Sequence, residues 1–213
     1  MIIENIFLLA FIAALFNTDM TGFGQFMLCR PIFCAPIFGY LTGDIGTGLW
    51  IGMIVEMIWI NAVPLGSALP MDICSISILS VFWTNVYFPG LSSSGSAALV
   101  FALPFGFLCR YIDAFGRQLN TKIMHWVEEG IKDNKYSRVK DGIAAGLFLF
   151  IFKFFVFYII AMPVGGKIYN LIYLQMPSFA LNGLARAWFL LPVLGFGAVI
   201  YNFWGMNMQG FRK

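Results

Sequence analysis

Apolar stretches separated by short polar, glycine-rich or proline-containing breaks make up most of this chain. A helix needs about 20 apolar residues to cross the hydrocarbon core of a bilayer. Residues 166–184 are ambiguous on this criterion, because Pro177 and Gly183 interrupt them. Elsewhere the pattern predicts membrane-spanning helices over six stretches, of which the first is slightly short: residues 2–16, 45–63, 73–88, 97–112, 143–164 and 186–204.

The region between the first two apolar stretches has a different pattern. Polar and small residues fill 17–30, and Pro31 and Pro36 then interrupt residues 32–41, which have about half the length of a spanning helix. Non-helical backbone is tolerated at membrane depth only where protein or a water-filled cavity surrounds it. Interrupted segments of this kind also point to substrate sites in transporters. We therefore predict a re-entrant segment here.

Glycines four residues apart follow in the same part of the chain. Gly39 with Gly43, and Gly48 with Gly52, are small-xxx-small pairs that let helix backbones approach closely. Ordinary helix packing is the preferred interpretation of each pair taken alone.

Composition excludes a soluble globular protein. Hydrophobic residues make up 60% of the 213 residues and charged residues only 11%, whereas soluble domains are about a quarter charged. Lipid or partner subunits must cover the remaining surface. The fold class is therefore predicted to be an all-α integral membrane protein, a bundle of transmembrane helices with re-entrant or broken helices and a cytoplasmic amphipathic helix.

The basic residues are concentrated in one segment. Before Arg110 the chain has one basic residue, Arg30, whereas residues 110–141 hold more than half of all Lys and Arg. Such a segment stays on the cytoplasmic side during insertion, so we place residues 111–141 in the cytoplasm. They separate an N-terminal membrane region, 1–110, which would hold the polar site, from C-terminal helices and a short tail, 142–213. Apolar residues at helical spacing predict an amphipathic helix within the basic segment: Ile112, Phe115, Leu119, Ile123, Trp126 and Val127.

Neither the histidine nor the cysteines suggest a metal or catalytic centre. The single His125 lies beside two glutamates with no second histidine, which is a poor metal site. The four cysteines form no CxxC pair and have apolar surroundings, which is typical of packed helices. We expect no catalytic residue, metal or cofactor in this chain, and no nucleic-acid partner.

The polar residues near the first re-entrant segment carry the functional signal. Glu56 lies in the apolar stretch 51–60 with no basic residue at helical spacing, and a carboxylate near the bilayer centre costs roughly 2.5–3.5 kcal/mol. It is therefore expected to be protonated, to face a polar cavity, or to bind a visiting ligand. Asn61, Ser67 and Asp72 follow on a chain that prolines and Gly66 interrupt. Such groups suit the hydroxyls of a sugar, but they also suit Na⁺ or H⁺, and the residues alone leave both open.

An ordered set of motifs resembles the IIC subunit of the mannose/fructose/sorbose class of the phosphoenolpyruvate-dependent sugar phosphotransferase system. The similarity is dense over residues 17–80 and weaker through the basic segment to the helix 191–204. The residues that carry it are Arg30, Pro31, Gly39, Gly43, Asp44, Gly48, Gly52, Glu56, Met57, Ile58, Trp59, Asn61, Pro64, Leu65, Gly66, Ser67, Ala68, Pro70 and Asp72.

The resemblance implies a division of labour in the bacterial inner membrane. A IIC subunit pairs with a membrane IID subunit to carry a hexose across the bilayer, and cytoplasmic IIA and IIB components relay the phosphoryl group that modifies it. Assembly as a homotrimer is a further expectation from the family. The site residues would be Glu56, Asn61, Ser67 and Asp72, binding sugar hydroxyls, with Asp19, Gln25 and Asp44 shaping or gating the site.

Two other functions stay open at this point. An ion-coupled secondary transporter would use Glu56 or Asp72 as a carrier of H⁺ or Na⁺. A non-transporting scaffold or regulatory subunit is the third hypothesis, since family members usually continue for several dozen residues beyond the position of Trp204, whereas this sequence ends at Lys213. Which sugar is carried depends on ångström-scale placement of hydroxyl partners, and the sequence does not determine it.

Overall fold

The computed structural model describes residues 5–20, 22, 24–61 and 70–210, with the side chains of 205–210 excepted. Within these ranges the chain is all-helical. It consists of eight α-helices, with a π-helical turn, Ala161–Gly165, joining the sixth to the seventh: α1 (Ile6–Asp19), α2 (Pro31–Thr42), α3 (Ile45–Ile58), α4 (Ile73–Tyr87), α5 (Ser92–Lys132), α6 (Ser137–Ile160), α7 (Gly166–Gln175) and α8 (Ser178–Gly210).

Three helical stretches are long and apolar enough to cross a membrane: Ser92–Lys132, Ser137–Gln175 and Ser178–Trp204. They contain the spans predicted at 97–112, 143–164 and 186–204, and an all-helical membrane fold is thereby confirmed. The ambiguous residues 166–184 divide at Pro177 between the end of the second stretch and the start of the third. The helix continues through Ala161–Gly165 because the indole N–H of Trp83 donates to the Met162 carbonyl, 3.1 Å away.

The other three predicted spans fall on shorter helices. Residues 2–16, 45–63 and 73–88 correspond to α1, α3 and α4, which have 14, 14 and 15 residues. At 1.5 Å per residue each extends little more than 20 Å, less than the hydrocarbon thickness. The physical reason is local: Asp44 and Asp72 accept backbone N–H groups at the starts of α3 and α4 and so fix where these helices begin.

Helix α4 forms the centre of the molecule. Every residue from Ile73 to Asn85 is buried, and α2, α3 and α5 pack around it. Its buried hydroxyls donate to carbonyls of the same helix, which removes the cost of burying them without partners; Ser80 bonds the Ile76 carbonyl at 2.6 Å and Thr84 bonds the Ser80 carbonyl at 2.8 Å.

Helices α2 and α3 form a tight hairpin through their glycines. A Cβ atom at Gly39 would lie 2.6 Å from the Asp44 carbonyl oxygen, and one at Gly52 would lie 2.5 Å from that of Pro31. The predicted close approach is confirmed for these two and for Gly48, whose added Cβ would collide with the Ala35 carbonyl. It is wrong for Gly43, which contacts nothing through such an atom and instead ends α2 with φ of +100°.

The basic segment does not begin with a helix of its own. Residues 111–132 continue α5, which runs unbroken over 41 residues. After the turn at 133–136, α6 returns antiparallel to it, with Gly142 against Val127 and Gly146 against Asn120. The predicted amphipathic helix is therefore the second half of a longer helix that packs on α6, and its cytoplasmic location stays a prediction.

Candidate functional site

Asp72 joins three helices at the start of α4. Its Oδ1 accepts from the backbone N–H of Cys74 at 3.0 Å, which caps the helix. Its Oδ2 accepts from the amide of Asn17 at 2.8 Å and from the thiol of Cys109 at 2.9 Å. These contacts hold the end of α1 and the middle of α5 against α4, so the carboxylate is well ordered and faces the point where they meet.

Glu56 forms a salt bridge that its own helix does not reveal. Its Oε1 lies 2.6 Å from Nη2 of Arg30, which precedes α2, and the two side chains are 15% and 20% exposed. The prediction that Glu56 has no basic partner is therefore wrong, because the α2–α3 hairpin brings Arg30 to it. Oε2 of Glu56 is buried and has no hydrogen-bond partner among the described residues, which leaves an acceptor available at this position.

Asp19 organises the loop before α2. Its two carboxylate oxygens accept from the backbone N–H groups of Phe26, at 3.0 Å, and Leu28, at 2.8 Å. Its backbone carbonyl accepts from the N–H of Gln25, which has φ of +54° and an exposed side chain. Asp19 thus shapes the loop that presents Arg30, whereas the Gln25 side chain points outward.

Asp44 lies away from Asp72. It caps α3 by accepting from the N–H of Gly46 at 2.9 Å and from the hydroxyl of Thr47 at 2.6 Å. The pKa of its carboxyl is held below the ordinary value, chiefly by the Thr47 hydroxyl. Its carbonyl accepts from Asn85 near the far end of α4, which is about 20 Å from Asp72 at 1.5 Å per residue. The structure does not bring these two carboxylates together.

The last two predicted site residues flank the loop between α3 and α4. Asn61 is exposed just after α3. Ser67 lies outside the described residues.

A cavity of about 60 Å³ opens beside Asp72, enough for a few water molecules at roughly 10–15 Å³ each. Of the predicted site residues that the structure describes, only Asp72 lines it, and Arg30 connects it to Glu56. Four further polar residues on its wall were not predicted as site residues: Asn17, Arg110, Asp113 and Arg117.

The missed residues carry one signal that sequence reasoning had available. Arg110, Asp113 and Arg117 have the spacing i, i+3 and i+7, which places them on one face of a helix. The two arginines were interpreted only as evidence of membrane topology. No comparable pattern marks Asn17, since its partner Asp72 is 55 residues away in the chain.

Metal binding finds no support in the part of the chain that the structure describes. Within it, no group of three or more His, Cys, Asp or Glu side chains could hold a metal ion.

Comparison with known proteins places the chain among phosphotransferase components. Residues 3–211 match the family described as the sorbose-specific IIC component of the phosphotransferase system (PTS). A curated relative, the PTS system mannose-specific EIIC component of Escherichia coli K12, is 25% identical over 178 residues, which cover 83% of this chain. The chain spans 65% of the length of that relative.

Two solved structures share the fold at 21% sequence identity. One, titled a structure of a membrane protein, has a TM-score of 0.74 and covers 93% of this chain and 79% of its own. The other, a cryo-electron microscopy structure of the mannose transporter ManYZ with microcin E492, has a TM-score of 0.67 and covers 100% and 87%. The fold and the three long apolar helices make the chain an integral membrane protein. Because the match extends over residues 3–211, the chain belongs to the family of sorbose-specific IIC components of the phosphotransferase system.

Proposed function

We propose that this chain is the sugar-translocating membrane subunit of a phosphoenolpyruvate-dependent phosphotransferase complex in a bacterial inner membrane. It imports a hexose that cytoplasmic partners phosphorylate. The family match over residues 3–211 is the observation that carries the proposal, and the mannose-specific relative supports a hexose as the substrate class.

The polar contacts around the cavity suit a sugar. Hydroxyl groups both donate and accept hydrogen bonds, and a carboxylate accepts from two of them. Asp72 and the free Oε2 of Glu56 supply acceptors, and Arg30 and Asn17 supply donors. Asn61 and Ser67 remain candidate contacts from the adjoining loop, and Asp19 and Gln25 set the loop that carries Arg30. Asp44 contributes by fixing the α2–α3 turn.

The proposal includes partners. The mannose transporter structure contains ManYZ, which supports a membrane IID partner for this chain. Cytoplasmic IIA and IIB components deliver the phosphoryl group, and the assembly is a homotrimer of the membrane pair. The last stretch, Ser178–Trp204, is almost entirely exposed on this chain alone, so it offers surface for lipid and for a membrane partner.

The test is sugar uptake in cells that express the chain with the partner subunits and lack their own hexose phosphotransferase permease. We expect phosphoenolpyruvate-dependent accumulation of hexose phosphate, and at least tenfold less of it with Glu56→Gln or Asp72→Asn. Asn still caps helices well, so Asp72→Asn removes the charge while keeping the start of α4. The matched control is Asp133→Asn, in an exposed acid on the α5–α6 turn.

A charge exchange separates a sugar-binding Glu56 from a purely structural one. Arg30→Glu combined with Glu56→Arg keeps an ion pair, so we expect it to restore the membrane level of the protein but not uptake. Full uptake in the exchanged variant would remove Glu56 from the sugar site. Accumulation of unmodified sugar that an uncoupler abolishes would contradict the proposed function and favour an ion-coupled transporter.

A further inference from the structure

One face of α5 turns three charged side chains into the cavity beside Asp72. Arg110, Asp113 and Arg117 are three and four residues apart, and all three line that cavity. Arg30 reaches the same cavity from the loop before α2. Three guanidinium groups therefore surround a small space that also holds the Asp72 carboxylate.

The carboxylates here do not balance the cations. Glu56 pairs with Arg30, and Asp113 is shared by Arg117, at 2.9 Å, and Lys153, at 2.6 Å. Arg110 has no carboxylate within 4 Å among the described residues. The cavity and its immediate partners thus hold four cations and three anions: Arg30, Arg110, Arg117 and Lys153 against Glu56, Asp72 and Asp113.

The surplus charge is in a poorly hydrated setting. The Lys153 side chain is 9% exposed and lies over the rings of Phe150 and Phe154, 3.9 and 4.6 Å from their centroids. Charged groups removed from water are normally paired. A ligand that brings negative charge would complete this cluster.

Arg117 also connects the cavity to a wider opening. It lines a groove of about 500 Å³ between α5 and α6, together with the polar side chains of Asn120 and Thr121. That groove runs toward the α5–α6 turn, within the segment that the basic residues predict to be cytoplasmic. An anion leaving the cavity on this side would pass Arg117 first.

We propose that Arg110 and Arg117 bind the phosphate monoester of the phosphorylated sugar before it leaves on the cytoplasmic side. Guanidinium groups match phosphate oxygens in paired, charge-assisted hydrogen bonds. The proposal rests on the proposed function and adds a product subsite next to Asp72. Arg30 stays with Glu56, and Asp113 orients Arg117 while Lys153 retains its own bond to the second carboxylate oxygen.

The experiment measures binding of mannose 6-phosphate, mannose and inorganic phosphate to the full chain in lipid nanodiscs. We expect mannose 6-phosphate to bind more tightly than mannose, and Arg110→Gln to weaken mannose 6-phosphate about tenfold, as for loss of one strong charge-assisted contact. Mannose binding should weaken far less. Arg110→Lys should restore part of the affinity, and Lys122→Gln, an exposed cation on the same helix, should change neither.

Several outcomes would overturn the inference. It fails if mannose 6-phosphate binds no better than mannose, or if Arg110→Gln weakens both sugars equally. Inorganic phosphate binding as tightly as mannose 6-phosphate would show a general phosphate site, not a product site. None of these outcomes touches the proposed function, which is decided by uptake in cells.

Discussion

Arg30 and Glu56 illustrate how a single pair alters the meaning of a residue. A lone carboxylate inside an apolar stretch is costly at membrane depth, and its sequence surroundings suggest an uncompensated charge. The 2.6 Å contact with Arg30 neutralises one oxygen. The other stays without a partner among the described residues. Glu56 is thus held in place by one oxygen and offers the other to a ligand.

A second ion pair gives a stability prediction at the same scale. Asp113→Asn leaves Lys153 buried without its carboxylate, and breaking a buried pair costs about 3–5 kcal/mol. We expect the Tm of the purified chain to fall by on the order of 10 °C, measured by thermal unfolding in detergent.

The matched control is the exposed pair between Asp133 and Lys135, whose atoms are 3.9 Å apart and whose side chains are both 59% exposed. Asp133→Asn should cost less than about 1 kcal/mol. Equal shifts in Tm for the two variants would contradict the buried character of the Lys153 pair.

Among the helices, the α2–α3 hairpin depends on glycine. Its two helices are too short to cross the bilayer and are held by backbone contact at Gly39, Gly48 and Gly52. This hairpin positions Arg30 at one end and Glu56 on the facing helix, so its packing bears directly on the salt bridge.

Gly48→Ala is expected to destabilise the hairpin, because the added Cβ would collide with the Ala35 carbonyl. We expect a lower Tm and reduced uptake together. The control is Gly197→Ala in α8, where an added Cβ meets nothing within 4 Å and alanine is the better helix former by about 1 kcal/mol. If Gly48→Ala behaves like Gly197→Ala, the close contact between α2 and α3 is not required.

For the whole molecule, α5 relates the cavity to the two sides of the membrane. Its 41 residues extend about 60 Å at 1.5 Å per residue, twice the hydrocarbon thickness of roughly 30 Å. The two ends of α5 must therefore lie on opposite sides. The basic residues near its second end predict that this end is cytoplasmic.

Cysteine labelling tests that orientation, since the four native cysteines are buried. A membrane-impermeant maleimide should label Lys135→Cys only after the membrane is opened. Leu91→Cys, exposed just before α5, should be labelled in intact spheroplasts. The reverse pattern would invert the topology and put the cavity's wide opening on the outer side.

The sequence alone determined the properties that depend on composition and local pattern. Low charge and long apolar stretches indicate a membrane protein whatever the helix arrangement, because lipid must cover what water cannot. The motif order over residues 17–80 identified the family that the match over 3–211 confirms. Aspartates before α3 and α4 are recognisable starts of helices, although the long apolar stretches around them led to predictions of full spans.

Only the tertiary structure decided which polar groups meet. Asn17 and Cys109 reach Asp72 across separations of 55 and 37 residues, and Asp44, much nearer in the chain, is held at the other end of α4. Local sequence encodes helix periodicity and caps, which act over a few residues. Contacts between helices depend on how their faces pack and on where each hairpin turns, and these are properties of the whole chain.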